Sequence, residues 1–235
     1  VGGMYTNTLG TSNFRAGVDA GSSIVAGGNY NTIVGDAAGR SITTGDKNVA
    51  VGFASQLNTT TASDNTTLGF YSGYALTTGD KNTLIGSFAG DALTTGTYNV
   101  AIGYQALTSE TANGSTVAIG RQALQNQNAG TESYNVAIGS LAGAAITTGQ
   151  NNVIIGGLAG DSLTDSDGNT AVGYGALSAD TLGRKSVAIG HSALGSQNFT
   201  SATDSYNVAV GFNTGVLLTT GIKNTLIGGI AGDAL

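Results

Sequence analysis

A short unit, Asn99-Val100-Ala101-Ile102-Gly103, returns along the chain at a nearly fixed interval. Twelve copies end at Gly35, Gly52, Gly69, Gly86, Gly103, Gly120, Gly139, Gly156, Gly173, Gly190, Gly211 and Gly228. The spacing is 17 residues in all but two intervals, which are 19 and 21. A fixed short period means that each repeat is one structural unit unable to bury its apolar face alone, so the units must stack. Residues 1–30 fall outside this frame: Asn7-Thr8-Leu9-Gly10 and Ile24-Val25-Ala26-Gly27 look like imperfect copies, but their spacing does not fit. The expected organisation is therefore an irregular lead-in over 1–30 and a repeat domain over 31–235, read as a piece of a longer chain.

Each slot of the repeat has its own chemistry. Three residues before the glycine every copy carries a β-branched residue, from Thr32 and Val49 to Thr225, and one residue before it every copy carries Val, Leu or Ile. Such residues favour strands, and two positions apart they share a face. That face is expected to point into the coil. The slot between them is also apolar in all copies except Thr67. A strand apolar on both faces is buried on both faces. On this reading the middle slot points outward against a neighbouring chain. The expected interchain residues are Ala50, Leu84, Ala101, Ala118, Ala137, Ile154, Ala171, Ala188, Ala209 and Leu226.

The second half of the repeat comes in two versions. One reads Gly-x-x-Ala-Gly-x-x-Leu-Thr-Thr-Gly, as from Gly86 to Gly96; the other advances the leucine, as in Gly103-Tyr104-Gln105-Ala106-Leu107. Either way one large aliphatic side chain plugs each coil, worth roughly 1.5–3 kcal/mol when buried. The two lengthened repeats follow the second version, which places their extra residues in loops. Asparagine opens ten of the twelve units, with Thr116 and Ser186 in the others, and stacked amides can hydrogen-bond from coil to coil. Proline, which would remove a ladder donor, is absent. The expected fold is an all-β parallel solenoid of about twelve 17-residue coils.

Only 9% of residues are charged, against roughly 25% in typical soluble domains, so Thr, Ser, Asn and Gly must build the surface. A net charge of -6 with scattered basic residues argues against nucleic acid as a partner. No apolar run approaches the ~20 residues of a membrane-spanning helix, so no membrane insertion is expected. Cysteine is absent, which removes disulfides and thiol chemistry.

The NVAIG, SVAIG and NTLIG units, followed by GYQAL or GRQAL, resemble the parallel β-roll heads of trimeric autotransporter adhesins. They resemble still more closely the repeats of phage tail-fibre proteins. The resemblance spans residues 31–235 and implies a left-handed β-roll, three chains side by side, and the short aliphatic strand at the trimer interface. The coil here is longer than that of the adhesin heads.

Little in the sequence suggests catalysis, and no cofactor is expected. His191, the single histidine, follows a glycine in a slot where other copies carry Phe53, Phe70, Tyr104, Arg121, Tyr174 and Phe212, so it reads as a variable surface position. General base chemistry needs a positioned partner, and none is evident. Most carboxylates recur at turn offsets: Asp91, Asp161 and Asp233 at one, Asp46, Asp80 and Asp167 at another. The stretch Asp165-Ser166-Asp167-Gly168-Asn169 starts like a calcium loop but lacks the expected glycine and distant glutamate. Two rows could meet a ligand. Five positions before the glycine lie Tyr30, Tyr98, Tyr134 and Tyr206 among Lys47, Lys81, Lys185 and Lys223, and just after it lies the aromatic slot. Tyr98, Tyr104, Tyr134, Tyr174, Tyr206 and Phe212 would then form a glycan-contact surface. Paired threonines such as Thr43-Thr44 and Thr94-Thr95 raise ice binding as a weaker reading, because adjacent strand residues point to opposite faces.

The expected function is a non-enzymatic structural segment: a homotrimeric tail fibre on a virion, meeting a host-surface glycan or protein receptor. A bacterial cell-surface adhesin head is the alternative, followed by a polysaccharide-degrading tailspike and an ice-binding solenoid.

Overall fold

The computed structural model describes residues 4–5 and 9–234, with side chains from residue 9 onward. Asn7 and Thr8, half of the first imperfect copy, lie outside the described residues. The chain is an all-β parallel solenoid of about thirteen turns at ~17 residues per coil. It divides into two compact units, Val1–Ser115 and Thr116–Leu235.

In the first unit the strands are Met4–Tyr5, Phe14–Ala16, Thr32–Val34, Val49–Val51, Thr66–Leu68, Thr83–Ile85 and Val100–Ile102. All pair in parallel with their sequence neighbours except Met4–Tyr5, which runs antiparallel along Phe14–Ala16. The second unit has Val117–Ile119, Val136–Ile138, Val153–Ile155, Thr170–Val172, Val187–Ile189, Val208–Val210 and Thr225–Ile227 in the same arrangement. A small parallel pair, Gly183–Arg184 with Thr203–Asp204, uses the extra residues of the 21-residue repeat. Register is strict: Val153, Ile154 and Ile155 sit opposite Thr170, Ala171 and Val172. The frame also starts earlier than the spacing suggests. Phe14-Arg15-Ala16 pairs in register with Thr32-Ile33-Val34, and Ile24 is the plug of that first coil rather than part of a copy. The 18-residue step from Gly17 to Gly35 and the non-aliphatic triad hid it.

The faces of the strand are the reverse of the expectation. Ile33, Ala50, Thr67, Leu84 and Ala101 in the first unit, and Ala118, Ala137, Ile154, Ala171, Ala188 and Ala209 in the second, have no exposed surface within a single chain. Leu226, in the last coil, is half-buried. These residues fill the coil interior and meet no neighbouring chain. The flanking β-branched and aliphatic slots point outward instead. The reason is parity: the unit's asparagine lies two positions before the middle slot, and alternate strand residues share a face. A buried amide therefore carries the middle slot inside with it.

Those amides form the axis of each unit. The Asn31 Oδ1 accepts the Asn48 backbone N–H at 2.9 Å and the Asn48 side-chain amide at 3.1 Å, and Asn48 Nδ2 donates onward to the Ala62 carbonyl at 2.8 Å. Asn152 repeats this in the second unit, bonding Asn135 at 2.8 and 3.1 Å and the Ser166 carbonyl at 2.7 Å. Where a hydroxyl replaces asparagine, a glutamine from the same coil steps in. Gln127 donates to Thr116 Oγ1 at 3.2 Å and accepts from Asn135 at 2.8 Å. Gln197 donates to Ser186 Oγ at 3.0 Å and accepts from Asn207 at 2.7 Å. These are the two lengthened repeats.

The closing glycines stack so tightly that no side chain fits. Gly139 has φ +139°, and a Cβ there would lie 2.5 Å from the Gly156 carbonyl oxygen. Such a contact blocks even alanine in a conformation that already favours glycine.

The interior has two seats that the two repeat versions fill differently. With glycine four residues after the closing glycine, the plug comes from seven residues after it; a Cβ on Gly160 would lie 2.8 Å from Leu163 Cδ1 and 3.1 Å from Ile154 Cδ1. With leucine at that position, the middle strand slot shrinks to alanine, as in Ala118 with Leu124 and Ala171 with Leu177. The position seven after the glycine then turns polar and buried: Glu110, Gln127, Asp180 and Gln197. Each such leucine sits at positive φ, +56° for Leu177. Burying it offsets the ~1–2 kcal/mol of left-handed strain. The two seats should therefore be coupled. Ala171→Leu alone is expected to destabilise by about 1–3 kcal/mol through overpacking, and Leu177→Gly alone through an emptied seat. Together, in urea unfolding, they should recover at least about 1 kcal/mol relative to their sum.

Candidate interaction surfaces

The strand's outward face runs the length of the paired strands in each unit. Val49 and Val51, Thr66 and Leu68, Thr83 and Ile85, Val100 and Ile102 form two parallel columns in the first unit. In the second unit the columns contain only Val and Ile apart from Thr170 and Thr225. Most of these side chains are half-buried by their neighbours, while Leu68 remains 48% and Ile189 38% exposed. No charged residue interrupts either column. The strip is flat and aliphatic because strict register places like on like.

The aromatic rows are built differently. In the first unit Phe53 and Phe70 stack at 5.5 Å, Tyr71 and Phe88 stack at 5.9 Å, and Phe70 meets Tyr71 edge-on at 4.4 Å. Tyr74 and Tyr104 flank this herringbone, 4.8 Å from Tyr71 and 6.3 Å from Phe88. In the second unit His191 is stacked between Tyr174 at 5.4 Å and Phe212 at 5.3 Å, and its Nδ1 shares a hydrogen bond with Ser192. The tyrosines five residues before the glycine lie on a separate row, in left-handed turns. Lys81 donates to the Tyr98 hydroxyl at 2.9 Å and lies 4.9 Å from its ring, and Lys185 lies 5.3 Å from the Tyr206 ring. Tyr134 is exposed on that row. The expected glycan-contact residues thus fall on two rows, and most have one ring face occupied by a neighbour. Tyr71 and Phe88, central to the herringbone, and Tyr74 at its flank were not among them, because no other repeat carries a ring at their slots.

The first threonine of the pairs Thr43-Thr44 and Thr77-Thr78 is turned to the backbone, as is Thr164 at the same offset. Thr43 donates to the Thr60 carbonyl at 3.0 Å, Thr77 to that of Thr94 at 3.0 Å, and Thr164 to that of Thr181 at 3.0 Å. The second threonine of the pair is exposed at Thr44, Thr78 and Thr95, as is Thr61 at the same offset, so this second row remains on the surface of four successive coils while the first-row hydroxyls are spent on coil-to-coil bonds. The turn aspartates do similar work: Asp46, Asp80 and Asp167 accept the backbone N–H of Asn29, Ser63 and Gln150, one coil back. The calcium-like stretch is held by an arginine, with Arg184 at 3.5 Å from Asp165 and 3.6 Å from Asp167. Among the described residues no group of three or more His, Asp and Glu side chains could hold a metal ion.

Two other carboxyls are perturbed. Burial pushes the Asp91 carboxyl above its ordinary value, partly opposed by a hydrogen bond from the Thr108 hydroxyl. Burial likewise raises Asp161, whose Oδ1 has no hydrogen-bond partner within the chain.

No family model matches this chain, and no curated protein or solved structure does either.

A carboxyl that is harder to ionise in the folded chain than in the unfolded one binds its proton preferentially when folded. Its stability contribution therefore rises as pH falls through the folded value and levels off below the ordinary value of 3.8. Asp91→Asn and Asp161→Asn should each melt higher than the parent at pH 7, and that advantage should vanish below pH 3.8. Thermal melts across this range check the prediction.

Proposed function

We propose that this chain is a non-enzymatic structural segment of a homotrimeric fibre, and that the outward strand columns are where its three copies meet. The observation that carries this reading is the pair of charge-free aliphatic columns, repeated in register in every regular coil and covering nothing within the chain. A sheet face of this kind, left to water, invites association. Because the columns repeat with the coil, an identical chain in the same register can match them along their length. The fold's periodicity supplies extension, and burial of the columns would supply stiffness. The resemblance of the NVAIG-type units makes a phage tail fibre for host attachment the leading form of this function, outside the cell on a virion. A trimeric adhesin head on a bacterial surface would use the same physics.

The solution mass by light scattering after size exclusion tests the reading. Three chains per particle are expected for the parent, and a single chain for Ile155→Lys with its β-sheet circular dichroism retained. A parent that remains a single chain at about tens of micromolar would overturn it.

A further inference from the structure

The aromatic herringbone of the first unit is surplus to the fold. Phe53, Phe70 and Tyr104 occupy the slot just after the closing glycine, which holds Asp36, Ser87, Arg121, Ser140 or Gly157 in other coils and rings again only at Tyr174, His191 and Phe212. Tyr71 and Phe88 occupy the next slot, which at the same positive φ holds Ala37, Ala54, Gln105 or Gln122 and the aliphatic Leu141, Leu158 and Ile230, but no other ring. A coil closes without a ring in either place. Here five rings nonetheless converge over four successive coils, with Phe53, Phe70 and Tyr104 still 44%, 43% and 49% exposed. Exposed Phe clustered on a turn costs solvation, so it points to something that covers it.

A second copy of the chain is the weaker occupant. An interface between identical stacked coils must recur with the coil, as the strand columns do. The slot after the glycine carries rings again at Tyr174, His191 and Phe212, but as a single-file stack with no ring in the next slot, so the herringbone itself does not recur. Arg121, Ser140 and Gly157 interrupt the slot between the two groups of rings. A feature confined to four coils is a local site, not a seam of the fibre.

The chemistry of the site narrows the ligand. None of the eight residues filling the two slots of these coils is charged. The polar groups offered are the phenols of Tyr71, Tyr74 and Tyr104, the Gln105 amide and the Ser87 hydroxyl, with the half-buried Asp91 beside the turn. This set lacks the cations that phosphate or uronate groups require. It suits a ligand with apolar C–H faces and many hydroxyls. We infer that the herringbone around Phe53, Phe70, Tyr71, Phe88 and Tyr104 binds a neutral oligosaccharide, its rings packed on the aromatic edges and faces and its hydroxyls meeting the phenols. This gives the attachment role a ligand class and rests on that reading for its biology, although the site itself needs only the first unit's turn row.

The test titrates the full chain with maltohexaose, cellohexaose and mannohexaose, using saturation-transfer NMR and calorimetry. Phe53→Ser and Phe70→Ser place in the slot a residue that it already tolerates at Ser87 and Ser140. At least one of the three sugars is expected to bind the parent, about tenfold more weakly in each variant. Leu158→Ser, in the other unit, should leave the affinity unchanged. Failure of all three sugars to bind, or equal binding by parent and variants, overturns the inference. A change of particle mass in Phe53→Ser or Phe70→Ser without sugar binding would assign the herringbone to contact between copies instead. A parent that is a single chain yet binds sugar through these rings would sink the trimer and leave this site standing.

Discussion

The buried asparagine amide is the interaction on which the rest of this structure depends. An amide inside a narrow apolar coil is tolerable only if all of its hydrogen-bonding capacity is used, because each buried unmet group costs about 1–3 kcal/mol. Asn48 and Asn152 meet that demand by donating to the Oδ1 of the coil before and to a loop carbonyl of their own coil, while their own Oδ1 accepts from the coil after. Identical geometry must then recur at every turn, which makes the period nearly invariant. The two departures confirm the rule: where Thr116 and Ser186 lack the amide, Gln127 and Gln197 restore it, and only those repeats are long. The interior polar column thus acts as a ruler for the sheet.

Placing the amides inside decides everything on the outside. Three strand residues offer only one inward side chain after the asparagine, so the other two must face out. The chain puts Val, Ile, Leu or Thr there in every regular coil. Their shape suits the pleat, but the absence of any charge does not follow from pleat geometry. An isolated coil would be as well built with lysine on that face, and exposed edges and faces commonly carry such charges to prevent association. The consistency of these two slots, against the free variation of the turn slots, is the argument that the outer face is used.

Much of this was legible in the sequence and one central inference from it was inverted. Period, strand position, parallel stacking, the alternate plug and the amide ladder all follow from spacing and residue type. The direction of the strand did not follow from apolarity, since all three of its slots are apolar. Branched residues at Val100 and Ile102 look more like core than Ala101 does, which is why the faces were exchanged. The deciding signal was the asparagine two residues before the alanine, together with the reciprocal sizes of Ala118 with Leu124 and Ile154 with Gly160. Residues that trade volume share a cavity, so the alanine slot had to be the inside. The first coil was missed because Arg15 stands where an aliphatic residue usually does, bonding the Gly21 carbonyl at 2.6 Å. The aromatic site was only partly visible, because Tyr71 and Phe88 meet Phe53 and Phe70 edge-on across coils from a different offset.

A repeat fold of this kind separates what it must keep from what it is free to vary. The glycine column cannot change, since a Cβ at Gly120 would meet the Gly139 carbonyl oxygen at 2.3 Å. The asparagine column changes only with a compensating glutamine, and a leucine four residues after the glycine comes only with alanine in the middle strand slot. The slots just after the glycine obey no such constraint: they accept glycine, serine, aspartate, arginine or a ring without disturbing the backbone. Selection for a particular ligand could therefore act on those slots one coil at a time at little cost in stability. That is the physical reason why a local cluster of rings there carries more functional meaning than the far more regular aliphatic columns, whose regularity serves the assembly.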